Sequence, residues 1–209
     1  MASHNPGFIT ASTISRLLGN ARKKGELSAG ALTFCEELAL ERAGIAEIIN
    51  SVFLGNKATE HGLSHEAEAI QVYEAATFST VNDQQKGVSR PEMWLSCTPD
   101  GYSGDQKLVE IKCPFSEMKH FQYLRKPDAL VSDYFDQIQL QLYLTGRKSV
   151  DIVSYHPHFT EPHNLVIATV YPDSKWADNM LQKVQKANAY IAEIIDSIQF
   201  QGDGCTKEG

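Results

Sequence analysis

The sequence predicts an α/β fold, a central mixed β-sheet flanked by helices, and three observations carry that expectation. Residues 78 to 113 contain short runs of β-type residues separated by turn formers. Apolar residues recur at helical spacing on both sides of that region. Two further strand-like runs, Val150 to Tyr155 and Leu165 to Tyr171, precede one long helical pattern. A chain of 209 residues suits one domain, 1–209, with enough length for a sizeable core, and it holds no internal repeat.

Taken in order, Thr10 or Ser12 caps a short helix whose Ile14, Leu17 and Leu18 form an apolar side before Gly19 stops it. Residues 20–30 read as a mobile connection. The densest positive run, Arg16 with Arg22, Lys23 and Lys24, leads into it, and such a run is either a solvated loop or a contact to a nucleic-acid backbone. Thr33 and Glu36 have capping-box spacing, and Leu32, Cys35, Leu38 and Ala39 recur helically until Gly44, which predicts a surface helix. Another helix is expected over 59–77, with Leu63, Ala67, Ile70 and Tyr73 or Glu74 on its buried side. Glu66 and Glu68 lie beside that stripe, where pattern alone predicts solvated glutamates.

Strands follow over Phe78 to Val81, Met93 to Cys97 and Lys107 to Cys113, with a turn around Asn82-Asp83. Pro114 ends the third, and Ser116 opens a helix with Met118, Phe121 and Leu124 inward. A longer helix begins after Pro127, carries Tyr134, Ile138, Leu142 and Thr145 on one side, and closes at Gly146. Gln137 and Gln141 run along it as a neutral polar stripe, fit either for solvent or for a phosphate oxygen, which an amide binds without competing for metal. The loop between the last two strands carries His156, His158 and His163; with no visible fourth ligand it is assigned no metal. The last helix, Ser174 to Phe200, aligns Trp176, Met180, Val184, Ala187, Ile191 and Ile198 as core or subunit interface, and the tail 202–209 is expected to fray.

A formal charge of −7 argues against a protein that coats DNA nonspecifically, because phosphate contacts need Lys and Arg, yet it leaves room for a few cations along a substrate path. No apolar run approaches the roughly 18 residues of a membrane helix, and the first residues begin no signal peptide, so a cytoplasmic protein without membrane contact is expected. Cys35, Cys97, Cys113 and Cys205 have no zinc or C-x-x-C spacing, which fits a reducing compartment and, for the first three, buried thiols. There is no G-x-x-x-x-G-K-[ST] loop, so ATP-driven unwinding of the usual kind is excluded.

The densest chemistry lies between Ser96 and Lys112. Pro99-Asp100-Gly101 is a turn former that presents one carboxylate, a second Gly-Asp turn follows, and a strand then carries Glu110 and Lys112 at i and i+2. Strand side chains alternate, so Glu110 and Lys112 share one face, about 7 Å apart at the Cα atoms, while Val109 and Ile111 take the other. Asp100 and Glu110, helped by the Ile111 carbonyl, are oxygen ligands of the kind magnesium takes, and the ion would polarise a scissile phosphate and help generate hydroxide. Lys112 would orient the attacking water and offset charge on the phosphoryl oxygens. An exposed hairpin with a solvated Glu and Lys is the plain alternative.

These residues reach a resemblance. Thr98-Pro99-Asp100-Gly101 followed by Val109-Glu110-Ile111-Lys112-Cys113-Pro114-Phe115 resembles the P-D…(D/E)-x-K nuclease core, and specifically the phage lambda exonuclease (YqaJ-like viral recombinase) family. Ile9-Thr10-Ala11-Ser12 is similar to that family's I-T-A-S segment and Gln137-Ile138-Gln139 to its Q-x-Q helix, in the same order over residues 7 to 145. The resemblance implies a restriction-endonuclease-like core and an exodeoxyribonuclease that degrades linear double-stranded DNA 5′ to 3′ without ATP. It also implies Mg²⁺, with Mn²⁺ as a substitute, a toroidal homotrimer, a single-strand-annealing recombinase as partner, and a phage or prophage origin in a bacterial host.

Carried over residue by residue, it makes Asp100, Glu110, Ile111 and Glu66 the metal set, the last through the Gly62 to Glu66 step, and Lys112 a catalytic residue. Ser12, Thr98 and Gln137 become 5′-phosphate contacts, and Arg22, Lys23 and Lys24 are candidates for the DNA backbone. One departure stands out: the family's phosphate-binding arginine, two residues before the glycine ahead of I-T-A-S, is Asn5 here. Two rival readings share these residues, a sequence- or structure-specific endonuclease and a non-catalytic protein that binds DNA ends.

Overall fold

The computed structural model describes residues 6–21, 23, 25–45, 57–82, 84 and 86–204. Within them the α/β expectation holds, with seven strands in two mixed sheets rather than one central sheet. The smaller sheet has the order β1 (Ile9–Thr10), β3 (Leu95–Cys97), β2 (Val88–Arg90), with β1 parallel and β2 antiparallel to β3. The larger has the order β4 (Gly101–Ser103), β5 (Lys107–Lys112), β6 (Ser149–Tyr155), β7 (Leu165–Val170), and only the β5–β6 pair is parallel. All seven residues of β6 are buried, the mark of a strand covered on both faces.

The alternation in β5 decides what covers each face. Val109 and Ile111 pack with Ala69, Ile70 and Tyr73 of helix α3 (Lys57–Thr77), whereas Leu108 packs with Ile138 and Leu142 of helix α5 (Pro127–Thr145). Glu110 and Lys112, on the same side as Leu108, are thereby turned toward α5. Helix α5 also sends Leu140 and Leu144 into a separate core made with α1 (Ile14–Leu18), α2 (Ala29–Arg42) and α6 (Ser174–Gly204). Apolar on two sides, α5 is fixed between the small-sheet core and the large sheet, and its glutamines are held with it. Gly146 closes it at φ 67°, a left-handed conformation that glycine adopts without a Cβ penalty.

Several expected elements differ. Phe78 to Val81 is not a strand: α3 runs to Thr77, Phe78 turns out at 98% exposure, and the only β contact there is an isolated bridge from Asn82 to Tyr102. Asp83 lies outside the described residues. Met93 belongs to a 3-10 turn, Pro91–Met93, and the strand begins at Leu95, while β2 and β4 went unseen because three residues give too little alternation to read. Helix α2 starts earlier than Thr33: Ser28 is the cap, its Oγ accepting from the Ala31 N–H at 3.2 Å, and Thr33 instead bonds back to the Ala29 carbonyl. With Ala31, Phe34, Cys35, Leu38 and Ala39 buried, α2 is a core helix, and the connection expected over 20–30 ends before Ala29. Leu63 and Ala67 are exposed, as are Met118 and Phe121; α3 buries Ala69, Ile70 and Tyr73, and helix α4 (Glu117–Arg125) buries His120 and Tyr123. Helix α6 continues past Phe200 to Gly204, and residues 205–209, with Cys205, lie outside the described set.

Candidate active site

The turn at Pro99-Asp100-Gly101 brings its carboxylate onto β5. A Cβ at Gly101 would meet the Val81 side chain at 2.1 Å, so only glycine lets β4 leave the turn against that wall. Asp100 is fixed by the Ile111 backbone N–H, which donates to its Oδ2 at 2.6 Å. The rest of the pairing puts Glu110 under α5, at 2% exposure, which removes the solvated-hairpin alternative. Three donors hold its carboxylate: Lys112 Nζ at 2.7 Å and Gln137 Nε2 at 2.5 Å on Oε1, and Gln141 Nε2 at 2.7 Å on Oε2. Lys112 also contacts Gln137 Oε1 at 3.4 Å, and its ammonium lies 4.7 Å from the centre of the Tyr134 ring. Charge-assisted bonds of this sort contribute about 1.5–3 kcal/mol each, and they make Glu110 a fixed rather than a wandering acid.

The electrostatics show too little positive charge for the acids present. Burial, and then the charge of Glu110, push the Asp100 carboxyl well above the usual carboxylate range, against the lowering effects of Lys112 and the Ile111 N–H. Burial works against the Lys112 ammonium as well, but Glu110 and Asp100 outweigh it and raise its pKa, so it stays charged. Glu66, on α3, is close enough for its charge to raise both Asp100 and the Cys113 thiol, the latter pushed up to about 12 chiefly by burial. Three carboxylates with one ammonium form an oxygen-donor set that a divalent cation would neutralise, and this donor chemistry, with Asp100 held against β5 beside Glu110, fits these residues to such an ion.

The candidate phosphate contacts approach this centre from the small sheet. Parallel pairing of Thr10 with Ser96 sends the two chains onward in one direction, so Ser12 and Thr98 leave the same end of the β1–β3 pair, and Asp100 follows Thr98 by two residues. Ser12 caps no helix: α1 begins at Ile14 with Thr13 before it, and Ser12 Oγ pairs with Thr10 Oγ1 at 3.0 Å. Ser12 and Gln137 line one cleft of about 690 Å³, whose described lining includes Asp128, Asp133 and Asp136 and no Lys or Arg. Gln137 thus belongs to both the cleft and the Glu110 network. Of the three cations assigned to DNA backbone, Arg22 and Lys24 lie outside the described residues; Lys23, well exposed, sits 3.6 Å from Glu26.

Two contributors were not picked out in the sequence. Gln141 was seen only as one of a polar stripe, yet it is fully buried and holds Glu110. Tyr134 shares the apolar side of the helix in the sequence pattern, whereas its ring faces Lys112. The i, i+4 spacing of Gln137 and Gln141, which puts both amides on one face of the helix, is the available signal.

A family model matches the chain, and solved structures share its fold. The YqaJ-like viral recombinase domain matches residues 3–148, which include Ser12, Glu66, Asp100, Glu110, Lys112 and Gln137. An alkaline exonuclease, LHK-Exo, from Laribacter hongkongensis is similar at 24% identity over 97% of each chain, with a TM-score of 0.79. The same protein in complex with dAMP is similar over 95% of each chain at a TM-score of 0.77. A phage-related exonuclease from Haemophilus somnus 129PT is similar at 14% identity over 91% of this chain and 96% of its own, with a TM-score of 0.78. No curated protein matches.

Proposed function

The chain belongs to the YqaJ-like viral recombinase family, and from that premise we propose that it is a magnesium-dependent, ATP-independent exodeoxyribonuclease. In this reading it degrades linear double-stranded DNA 5′ to 3′ and leaves 3′ single strands for phage-type recombination. Family membership, and the fold it has in common with proteins named as exonucleases, support a nuclease acting on DNA. The observation that carries the chemistry is the buried Glu110–Lys112 pair at 2.7 Å beside Asp100, an acid and a base on one strand face with a surplus of carboxylate.

Asp100, Glu110 and the Ile111 carbonyl, with Glu66, would hold Mg²⁺, or Mn²⁺ in its place. Bound there, the ion supplies Lewis-acid polarisation of the scissile phosphate. Lys112, fixed by Glu110 and Tyr134, aligns the attacking water. As the water oxygen bonds to phosphorus and the phosphorus–oxygen bond to the leaving nucleotide breaks, the proton lost by the water is balanced by one gained at the released oxygen, and the Lys112 ammonium offsets charge on the phosphoryl oxygens. Gln141 and Gln137 keep Glu110 in place during the step. Ser12, Thr98 and Gln137 offer neutral donors to a 5′-terminal phosphate, and with Asn5 in place of the family's arginine either another cation serves that pocket or the preference for a 5′-phosphate is weaker here.

One nuclease domain spans 1–209, working in the cytoplasm of a bacterial host beside a single-strand-annealing recombinase. Among the described residues no helix is long and apolar enough to cross a membrane. A ring of three copies suits a chain of charge −7: enclosure of the duplex replaces tight phosphate binding, while Lys23 offers a cation to the channel. Light scattering should then give about 70 kDa, three times the 23.2 kDa chain. The activity itself is tested with linear duplex labelled at one end or the other, with and without magnesium, and with closed circular DNA. Release from 5′ ends of linear DNA only, and only with magnesium, is expected. Cutting of the circle would favour the endonuclease, and end binding without release would favour the non-catalytic reading.

A further inference from the structure

We propose that Glu117, His156 and His158 form a binding site for a zinc-class transition-metal ion, separate from the Asp100–Glu110 centre. One ligand atom from each of the three lies within 4.8 Å of the others, a cluster that pattern reading missed because Glu117 is about 40 residues distant in sequence from the two histidines. His156 leaves β6 and is fixed by its backbone, its N–H donating to the Asn164 carbonyl at 3.1 Å and its own carbonyl accepting from Phe159. Its ring is 1% exposed, yet Nε2 has no hydrogen-bond partner and Nδ1 only a long 3.3 Å contact from the His158 N–H. A buried polar atom with no partner is rare in a folded protein because it has given up its water without replacement, so an imidazole in this state points to a missing neighbour.

A second orphan faces the same place. His61, on α3, also has a buried Nε2 with no partner, and its ring centre lies 5.6 Å from that of His156. His158 Nδ1 is 3.1 Å from Glu117 Oε1, a contact that as a plain surface pair would contribute almost nothing, both side chains being more than half exposed. As ligands the two can swing inward onto the fixed His156 ring, with His61 as the fourth. Two or three imidazoles, one carboxylate and no thiolate suit zinc, cobalt or nickel, whereas magnesium and calcium prefer oxygen alone. Such an ion would tie α3, α4 and the β6–β7 loop together at one end of the large sheet, and this role does not depend on the chemistry at Asp100.

Cobalt(II) titration of the full chain in excess magnesium tests the site, because the visible absorption of low-coordinate cobalt reports nitrogen ligation independently of nuclease activity. The expected result is one cobalt per chain with such a band, displaced by zinc and retained in Asp100→Asn. His158→Ala and Glu117→Gln, both at exposed positions, should keep the metal-free fold by circular dichroism and weaken binding about tenfold or more, at least the loss usual for an outer-shell partner. Absence of the band, its persistence at full affinity in both variants, or its loss in Asp100→Asn would overturn the assignment.

Discussion

Gln141 donates from Nε2 to Glu110 Oε2 at 2.7 Å in a fully buried contact, so the orientation of the acid on β5 depends on an amide one turn along α5 from the cleft. Removing that donor leaves one oxygen of a 2%-exposed carboxylate without its partner. Gln141→Ala should therefore lose about 10–100-fold in metal affinity or activity, the usual loss for a residue that orients a ligand. Isothermal titration with Mn²⁺ measures it. Gln141→Glu, which sets a like charge against Glu110, should be worse still, and unchanged affinity in both would remove Gln141 from the site.

The raised Asp100 pKa makes a stability prediction with a definite sign. A carboxyl whose folded pKa exceeds its unfolded value contributes stability that is fully present below the unfolded value, about 3.9, and is lost as pH rises through the folded one. Burial and the charge of Glu110 therefore make Asp100 an unfavourable carboxylate in the metal-free protein, by an amount that grows as pH rises. Asp100→Asn should raise the melting temperature of metal-free protein by at least about 2 °C at neutral pH, with the gain shrinking toward pH 4. Magnesium should stabilise the wild type more than the variant. A variant that melts lower at neutral pH would contradict the electrostatic account.

Asp151 should matter for stability and not for chemistry. It is 2% exposed in β6 and accepts from Tyr73, Lys107 and Thr169, each at 2.7 Å, which ties α3 to three strands. Lys107 is partly exposed and Thr169 lies at the surface, so most of the loss falls on the buried Tyr73 hydroxyl. Urea unfolding of Asp151→Ala should show about 2–4 kcal/mol of destabilisation. A loss under about 1 kcal/mol would mean that water replaces the carboxylate.

The end pocket makes a substrate-dependent prediction. If Ser12, Thr98 and Gln137 hold a terminal phosphate, losing one donor should slow digestion of 5′-phosphorylated ends by about 10-fold or more and leave 5′-hydroxyl ends nearly unaffected. Ser12→Ala is the cleaner variant, since Gln137 also holds Glu110. Equal rates on the two ends for wild type and Ser12→Ala would argue against the pocket, a result that the acidic lining of the cleft makes worth seeking.

The sequence carried the centre because its signals are local. Period-two alternation in Val109-Glu110-Ile111-Lys112 separates an apolar face from an acid and a base, and the structure packs the two sets against α3 and α5 respectively. Glycine stops at Gly44 and Gly146 were likewise readable, each with positive φ. What was hidden depends on contacts between distant segments. Nothing near Gln141 marks an amide that will be fully buried, and strands of two or three residues such as β1 and β4 show no period. Apolar residues at helical spacing also failed where no neighbour covers them, as at Leu63 and Met118. The cluster of Glu117 with His156 and His158 needed the β6–β7 loop to fold back onto α4.

The most direct test of the account is single-turnover release of nucleotides from a 5′-phosphorylated linear duplex by Lys112→Ala in saturating magnesium, with end binding measured on the same samples. Lys112 is held by Glu110 at 2.7 Å and by the Tyr134 ring, and without it Gln137 still donates to Oε1 of Glu110 and Gln141 to Oε2, so the acid keeps a partner on each oxygen. The account predicts that end binding and Mn²⁺ affinity stay within a few-fold of wild type while the rate falls by about 10² to 10³. Release at close to the wild-type rate would contradict it, because the acid–base strand would then not be where the phosphodiester is cut.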